Sequence, residues 1–197
     1  MKKYVVALIH EYGSSGRLIG KKLAEKLGIG YYDKEILALL TMRKGISPQA
    51  AEELNEKRTS SFLYSVFSAS QTRPLNDEVF IAKADIIKEL ADEKSPCVII
   101  GSCCDYILSG RDDVIKVFIH APFEKRNERL AAELKEKSAN TPGILKKKDK
   151  QRADYYNHFT FNKWGDMKNY DLCINSEIGA DTAADLIAAA IGDMFKD

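Results

Sequence analysis

Short apolar runs recur along the chain with long polar or mixed stretches between them. Four read as buried strands: Tyr4–Ile9, Cys97–Ile100, Val114–Ile119 and Tyr170–Ile174. A fifth, very short one lies near Ile29–Tyr32. They are rich in β-branched residues and lack a clean alternation, as strands covered on both faces of a parallel sheet do. The intervening stretches follow helical spacing. Ile19, Leu23 and Leu27 recur every four residues in the run Leu18–Leu27. Asp33 can cap a helix through about Met42, with Ile36, Leu37 and Leu40 inside. Ser47-Pro48, followed by Glu52 and Glu53, has the composition of a helix start. Val79, Ala82, Ile86, Ile87 and Leu90 form an apolar stripe, Phe123–Leu134 another helix, and Ala180, Ala183, Ala184, Ile187, Ile191 and Met194 the last. Strands alternating with helices predict an α/β doubly wound domain. Such folds bind ligands past the carboxyl ends of the strands. Glu11, Asp33, Ser102, Asp105 and His120 all follow strand ends and are expected to converge on one crevice.

Between the first strand and the first helix lies Glu11-Tyr-Gly-Ser-Ser-Gly-Arg-Leu-Ile-Gly20. A strand, a glycine-rich turn and a helix start together make an anion cradle, because the first N–H groups of the helix point at whatever lies in the turn. Aligned with the phosphate-loop pattern G-x-x-x-x-G-K-[ST], Gly16 takes the second glycine and Glu11 the first; Arg17 replaces the lysine and Leu18 the Ser/Thr. On pattern alone the stretch is either such a cradle or a glycine-rich turn without a ligand.

Composition narrows the class. The 197 residues suit a single domain, and 45% hydrophobic residues allow a full core. A net charge of +1 gives no support for a nucleic-acid or membrane partner held by bulk charge. No segment is long and apolar enough to cross a bilayer, and Met1-Lys-Lys with six apolar residues is too short for a convincing signal peptide. Cys97, Cys103, Cys104 and Cys173 lack C-x-x-C spacing and read as buried reduced thiols of a cytoplasmic protein.

Two segments read as insertions in the single domain 1–197. Residues 43–76 form an acceptor-side helical insertion, with a Ser- and aromatic-rich stretch from Ser60 to Ser70. Residues 137–165 are polar and basic, with Thr141-Pro-Gly143 as a hinge-like turn, and suit a lid.

The ordered set of motifs resembles the cytidylate kinase-like family, a branch of the nucleoside monophosphate kinases. It comprises Glu11–Arg17, Tyr31-Tyr-Asp-Lys-Glu35, Ile100-Gly-Ser-Cys-Cys-Asp-Tyr-Ile-Leu108 and Lys116-Val-Phe-Ile-His-Ala-Pro-Phe-Glu-Lys-Arg126. Asp149-Lys-Gln-Arg152, Tyr155-Tyr156 and Trp164-Gly165-Asp166 before Asn169-Tyr-Asp-Leu172 complete it. The resemblance implies a P-loop three-layer α/β/α fold with a five-stranded parallel sheet of order 2-3-1-4-5 and a helical lid. It implies transfer of the γ-phosphoryl group of ATP, with Mg2+, to a nucleoside monophosphate, CMP or dCMP being favoured. In that reading Gly13, Ser14, Ser15, Gly16 and Arg17 hold the donor phosphates, and Asp33 lies on the acceptor side. Asp149 and Arg152 match a lid element that contacts the acceptor nucleotide, and Arg126 and Arg129 match arginines that neutralise the moving phosphoryl group.

Two positions depart from the family pattern. Arg17 stands for lysine, although this branch generally carries arginine there; the charge stays and the geometry becomes a planar fork. Gly101-Ser102 stands where the family has a Gly-Arg pair whose arginine grips the acceptor phosphate. Losing such a contact costs ~2–4 kcal/mol, roughly 30- to 10³-fold in rate. Either another cation compensates, the acceptor differs, or the chain transfers phosphate poorly. The alternatives to a nucleotide kinase are therefore a nucleotide-binding protein with weak or no kinase activity and a small-metabolite kinase.

Bland readings stand beside the sharp ones. Arg126 and Arg129 can be surface arginines paired with Glu133, and Asp149 with Arg152 a simple i,i+3 pair. Lys146–Lys148 reads as a solvated face. His10 and His120 lack a clear third ligand, so no metal site is assigned. Trp164, Tyr155 and Tyr156 read as core anchoring the lid.

Overall fold

A computed structural model describes residues 3–45, 75–101, 103–134 and 140–196. The expected helix at Ser47-Pro48, the Ser60–Ser70 stretch, most of the 43–76 insertion and Ser102 lie outside the described residues. Five strands pair in parallel: β1 (Val5–His10), β2 (Gly30–Tyr32), β3 (Cys97–Ile100), β4 (Val114–His120) and β5 (Leu172–Asn175). Their order is β2-β3-β1-β4-β5, as the family resemblance implies. β1 is central, with Val5 opposite both Cys97 and Val114.

Alternate residues of β1 feed two cores, because successive side chains of a strand point to opposite faces. Val5, Ala7 and Ile9 join one core, which takes in α2 (Lys34–Lys44), α3 (Leu75–Glu93) and the short α4 (Cys104–Ile107). Val6 and Leu8 join the other, which takes in α1 (Gly16–Leu27) and α7 (Ala180–Met194). The sheet is thus covered on both sides, which is why its strands read as continuous apolar runs. The α3 stripe behaves as its spacing predicts: Val79, Ala82, Ile86, Ile87 and Leu90 are all buried.

α5 (Phe123–Leu134) follows β4 and packs against α6 (Thr141–Thr160), the helix of the predicted lid segment. Tyr155 and Tyr156 bury their rings with Cys103, and Trp164 and Phe80 pack on them. α6 is therefore seated on the domain by aromatic packing.

Three local expectations change. Thr141-Pro-Gly143 is the first turn of α6 and not a hinge. Asn140 is its cap, its side chain accepting the Gly143 N–H at 3.1 Å. A Cβ on residue 143 would stand 2.6 Å from Asn140 Nδ2, so the glycine serves the cap. Asp33 occupies the N-cap position of α2 but its carboxylate makes no cap bond. Cys173 is exposed because β5 is an edge strand, while Cys97, Cys103 and Cys104 are buried as read. Among the described residues, no helix is long and apolar enough to cross a membrane.

Candidate active site

The turn after β1 is shaped by two left-handed residues, Gly13 (φ 74°) and Ser15 (φ 61°). Ser14 between them is fully buried, and its hydroxyl donates to the carbonyls of Glu11 (2.9 Å) and Ile119 (3.2 Å). Its N–H also donates to the Glu11 carbonyl, at 3.3 Å. The Ser14 side chain thus ties the turn to the end of β4. Gly16 opens α1 against β1; a Cβ there would stand 2.4 Å from His10 Cβ. Ile19 N–H donates to the Ser15 carbonyl, which leaves the N–H groups of Gly16, Arg17 and Leu18 without an intrahelical acceptor. Ser15 gives no side-chain cap, and the first turn carries no acidic residue. A helix N-terminus left uncapped and without a carboxylate is an anion site in waiting.

Behind the turn sits Arg126, 5% exposed. Its Nε donates to the Ala121 carbonyl (3.1 Å) and lies 3.2 Å from Glu11 Oε2. One terminal nitrogen donates to the Tyr12 carbonyl (3.0 Å) and to Asp149 Oδ2 (2.7 Å). Glu11 in turn accepts the Ala121 N–H at 3.0 Å, and Asp149 Oδ1 accepts the Tyr12 N–H at 3.3 Å. Burial pushes the Glu11 carboxyl above its ordinary range, against the pull of the Ala121 N–H and Arg126. Arg126 is a buried clamp joining the turn, α5 and α6. Asp149 pairs with Arg126 rather than with Arg152. Lys148 and Arg152 both hold their charges over the Tyr12 ring, at 5.7 and 5.5 Å from its centroid. Arg129 lies further along α5, donating to Ser176 Oγ at 3.1 Å and to Gly13 O at 3.5 Å, and pairing with Glu177.

On the other side of the turn lies an open crevice. Leu8, Ile9, Ile100 and Gly101, at the carboxyl ends of β1 and β3, form its floor, and Ile36, Leu37 and Trp164 an apolar wall. The charged lining is Arg17, Asp33, Lys83 and Arg152. Arg17 grips Asp33 through two nitrogens, Nε to Oδ2 at 2.8 Å and Nη2 to Oδ1 at 3.2 Å. Arg152, 8% exposed, donates to the His10 carbonyl at 2.6 Å. His10 Nδ1 lies 2.8 Å from the Glu11 carbonyl, the contact that suits it as a donor. Lys83, 2% exposed, comes from α3, and its Nζ lies 5.4 Å from the Tyr155 ring centroid. Asp105 is buried and accepts the hydroxyl of Tyr156, itself a lining residue, at 2.7 Å.

Of the residues singled out in the sequence, the structure thus brings Arg17, Asp33 and Arg152 to one crevice. Gly13, Ser14, Ser15 and Gly16 form the turn beside it. Arg126, Arg129 and Asp149 stand behind the turn. Glu11, Asp105 and His120 do not line the crevice, although each follows a strand end. Lys83 was missed, and its signal is local: it falls inside the Val79–Leu90 apolar stripe, where a lysine has no packing reason to be.

The residues fit a nucleotide triphosphate tail, since the uncapped start of α1 and Arg17 supply N–H donors and charge. They offer a magnesium ion little directly. Leu18 presents no hydroxyl, and among the described residues no three His, Cys, Asp or Glu cluster to hold a metal.

The sequence model of one family, the cytidylate kinase-like family, matches residues 5–178. No curated protein sequence matches the chain. Among solved structures, an uncharacterized protein from Eubacterium ventriosum is 28% identical with a TM-score of 0.71, over 96% of this chain and 98% of that one. A shikimate kinase from Acinetobacter baumannii in complex with shikimate is 16% identical with a TM-score of 0.57, over 100% and 97%. A gluconokinase from Sinorhizobium meliloti is 13% identical with a TM-score of 0.60, over 98% and 93%. At these last two identities the likeness is one of fold.

Proposed function

The chain belongs to the cytidylate kinase-like family, and from that premise we propose that it transfers the γ-phosphoryl group of ATP to a nucleoside monophosphate, CMP or dCMP first. The observation that carries this reading is the uncapped start of α1 opening beside a crevice lined by Arg17, Lys83 and Arg152. Phosphoryl transfer needs little covalent help. It needs donors and charge around the moving group and a site closed to bulk water. In this reading the N–H groups of Gly16, Arg17 and Leu18 cradle the donor phosphates, and Arg17 adds charge where the transferred group passes. Arg152 faces the acceptor. Asp33 orients Arg17 and meets the acceptor's hydroxyl or amino groups. Arg126 and Asp149 hold turn and lid helix in register. Magnesium, when bound, would screen the phosphate charges, and among the described residues no cluster of His, Cys, Asp or Glu would hold it.

An ADP-release assay across CMP, dCMP, UMP and AMP tests the reading. Turnover that depends on CMP or dCMP is expected. Folded protein without any acceptor-dependent turnover would refute it. Leu18, in place of a metal-binding hydroxyl, favours one second reading, a nucleotide-binding protein that does not transfer phosphate. Calorimetric binding of nucleotide without ADP release would select that one.

A further inference from the structure

We infer that Trp164 binds the planar ring of the acceptor and so makes the crevice selective for an aromatic acceptor over an aliphatic one, an inference that rests on the transferase reading of the crevice. The sequence reads Trp164 with Tyr155 and Tyr156 as anchoring core, and the structure separates the three. Tyr155 and Tyr156 are each 1% exposed, whereas Trp164 is only partly buried and lines the crevice. The loop that carries it is held at successive residues. The Lys163 carbonyl accepts the Asn169 side-chain N–H at 2.9 Å, Trp164 N–H donates to Asn157 Oδ1 of α6 at 2.7 Å, and Gly165 N–H donates to the Tyr170 hydroxyl at 3.4 Å. Phe118 of β4 braces the indole edge to face, with centroids 5.6 Å apart and planes at 81°, and Phe118 is itself stacked on Tyr170 at 4.8 Å. An indole held in this way is ordered before a ligand arrives, so stacking on it costs little conformational entropy.

Ile36 and Leu37 of α2 join Trp164 in the lining and give the body of a ligand an apolar contact. Aliphatic side chains accept any apolar body. An indole adds a broad π face, and stacking on it favours a flat ring over a puckered or open one. Every nucleobase has such a face, so Trp164 sets aromatic against aliphatic and leaves the choice among bases to polar groups. The charged lining belongs to the same crevice, which suits a ligand that joins a flat ring to an anion.

The test is binding to the full chain with a non-hydrolysable ATP analogue occupying the donor side. CMP, UMP and AMP are compared with ribose 5-phosphate, which lacks the planar ring, by calorimetry in parent, Trp164→Leu and Trp164→Phe. In the parent at least one nucleotide should bind roughly 10- to 100-fold more tightly than ribose 5-phosphate. Trp164→Leu should bring that ratio within about threefold of one, with ribose 5-phosphate affinity changed by less than about twofold. Trp164→Phe should restore part of the ratio, whereas a loss of packing would weaken both ligands alike. Trp164 is the single tryptophan of the chain, so emission excited beyond the tyrosine absorption reports it alone. The nucleotide should quench or shift that emission, and ribose 5-phosphate should not. This readout needs no variant and carries the test if Trp164→Leu fails to fold. A parent ratio near one, a ratio that survives in Trp164→Leu, or emission unmoved at nucleotide saturation overturns the inference. Turnover separates it from the transferase reading. Trp164-dependent nucleotide binding without ADP release sinks transfer and leaves Trp164 standing. An active enzyme whose acceptor KM is unchanged in Trp164→Leu does the reverse.

Discussion

Arg17 and Asp33 form a two-point ion pair between the start of α1 and the end of β2, with Nε 2.8 Å from Oδ2 and Nη2 3.2 Å from Oδ1. The pair joins the turn after β1 to the crevice. The Arg17 side chain is 55% exposed, so the pair itself contributes at most about 1 kcal/mol to stability. Arg17→Ala should therefore leave the unfolding midpoint nearly unchanged. Nucleotide affinity should weaken modestly because the backbone donors remain. Transfer should fall further, by roughly 10²-fold, because charge grows on the phosphoryl group during reaction. Steady-state kinetics beside a urea titration checks this, and equal activity in variant and parent would make Arg17 a surface residue.

Arg126 predicts the opposite balance. Its guanidinium serves Glu11, Asp149 and the carbonyls of Tyr12 and Ala121 at once. Arg126→Ala strands two carboxylates and two carbonyls, so a loss of about 3–5 kcal/mol is expected in denaturant unfolding. Adding Glu11→Gln and Asp149→Asn should recover part of it, since the stranded charges are then gone. A loss below about 1 kcal/mol would mean that water or a neighbour takes over the clamp.

The strands and most helices were legible because burial on both faces imposes continuous apolar runs and helical stripes. Cys97–Ile100 and Phe123–Leu134 carry the same bounds in sequence and structure. The charged residues were harder. Spacing brings Arg126 into the stripe of Leu130, and Arg152 into that of Leu145, Tyr155 and Tyr156, but spacing alone does not say whether a buried arginine faces a ligand or a carboxylate. Asp33 reads locally as a cap, yet a guanidinium from 16 residues upstream claims its carboxylate. Thr141-Pro-Gly143 reads as a turn until Asn140 is seen capping through the Gly143 N–H. Lys83 interrupts its own apolar stripe, but the neighbouring apolar positions establish the helix whatever stands at 83.

Gly16 should tolerate no side chain. A Cβ there would meet His10 Cβ at 2.4 Å and Cγ at 2.5 Å, both on the side chain at the end of β1. Gly16→Ala should force β1 and α1 apart, costing about 1–3 kcal/mol or more and weakening nucleotide binding with it. The contact with Cβ gives the test its discrimination. His10→Ala keeps Cβ and should not rescue Gly16→Ala, whereas His10→Gly should. Urea titrations of the two double variants and the three singles read this as coupling energies. Rescue by His10→Ala would show that the ring, and not the His10 Cβ, sets the limit.

Asp105 should make stability fall as pH rises. Burial pushes its carboxyl above the ordinary value of 3.8, and the Tyr156 hydroxyl opposes this only in part. A raised folded-state pKa means that the folded chain holds this proton more tightly than the unfolded one. The stabilisation is then complete below the unfolded value and is lost as pH climbs through the folded one. Asp105→Asn still accepts the Tyr156 hydroxyl through Oδ1 but cannot titrate. Its stability relative to the parent should therefore rise with pH from about pH 4 upward. Glu11 is raised in the same direction and stays in both proteins, so the slope shrinks in the variant without vanishing. Taking the difference between the two curves removes Glu11 along with Glu89 and Asp113, whose carboxyls are lowered and act in the opposite sense. Tyr156→Phe separates the hydrogen bond from the charge. It removes a buried donor, should cost about 1–3 kcal/mol, and should steepen the Asp105 slope because the carboxylate loses its partner. A difference curve flat between about pH 4 and 8 would mean that Asp105 titrates alike in the folded and unfolded chain.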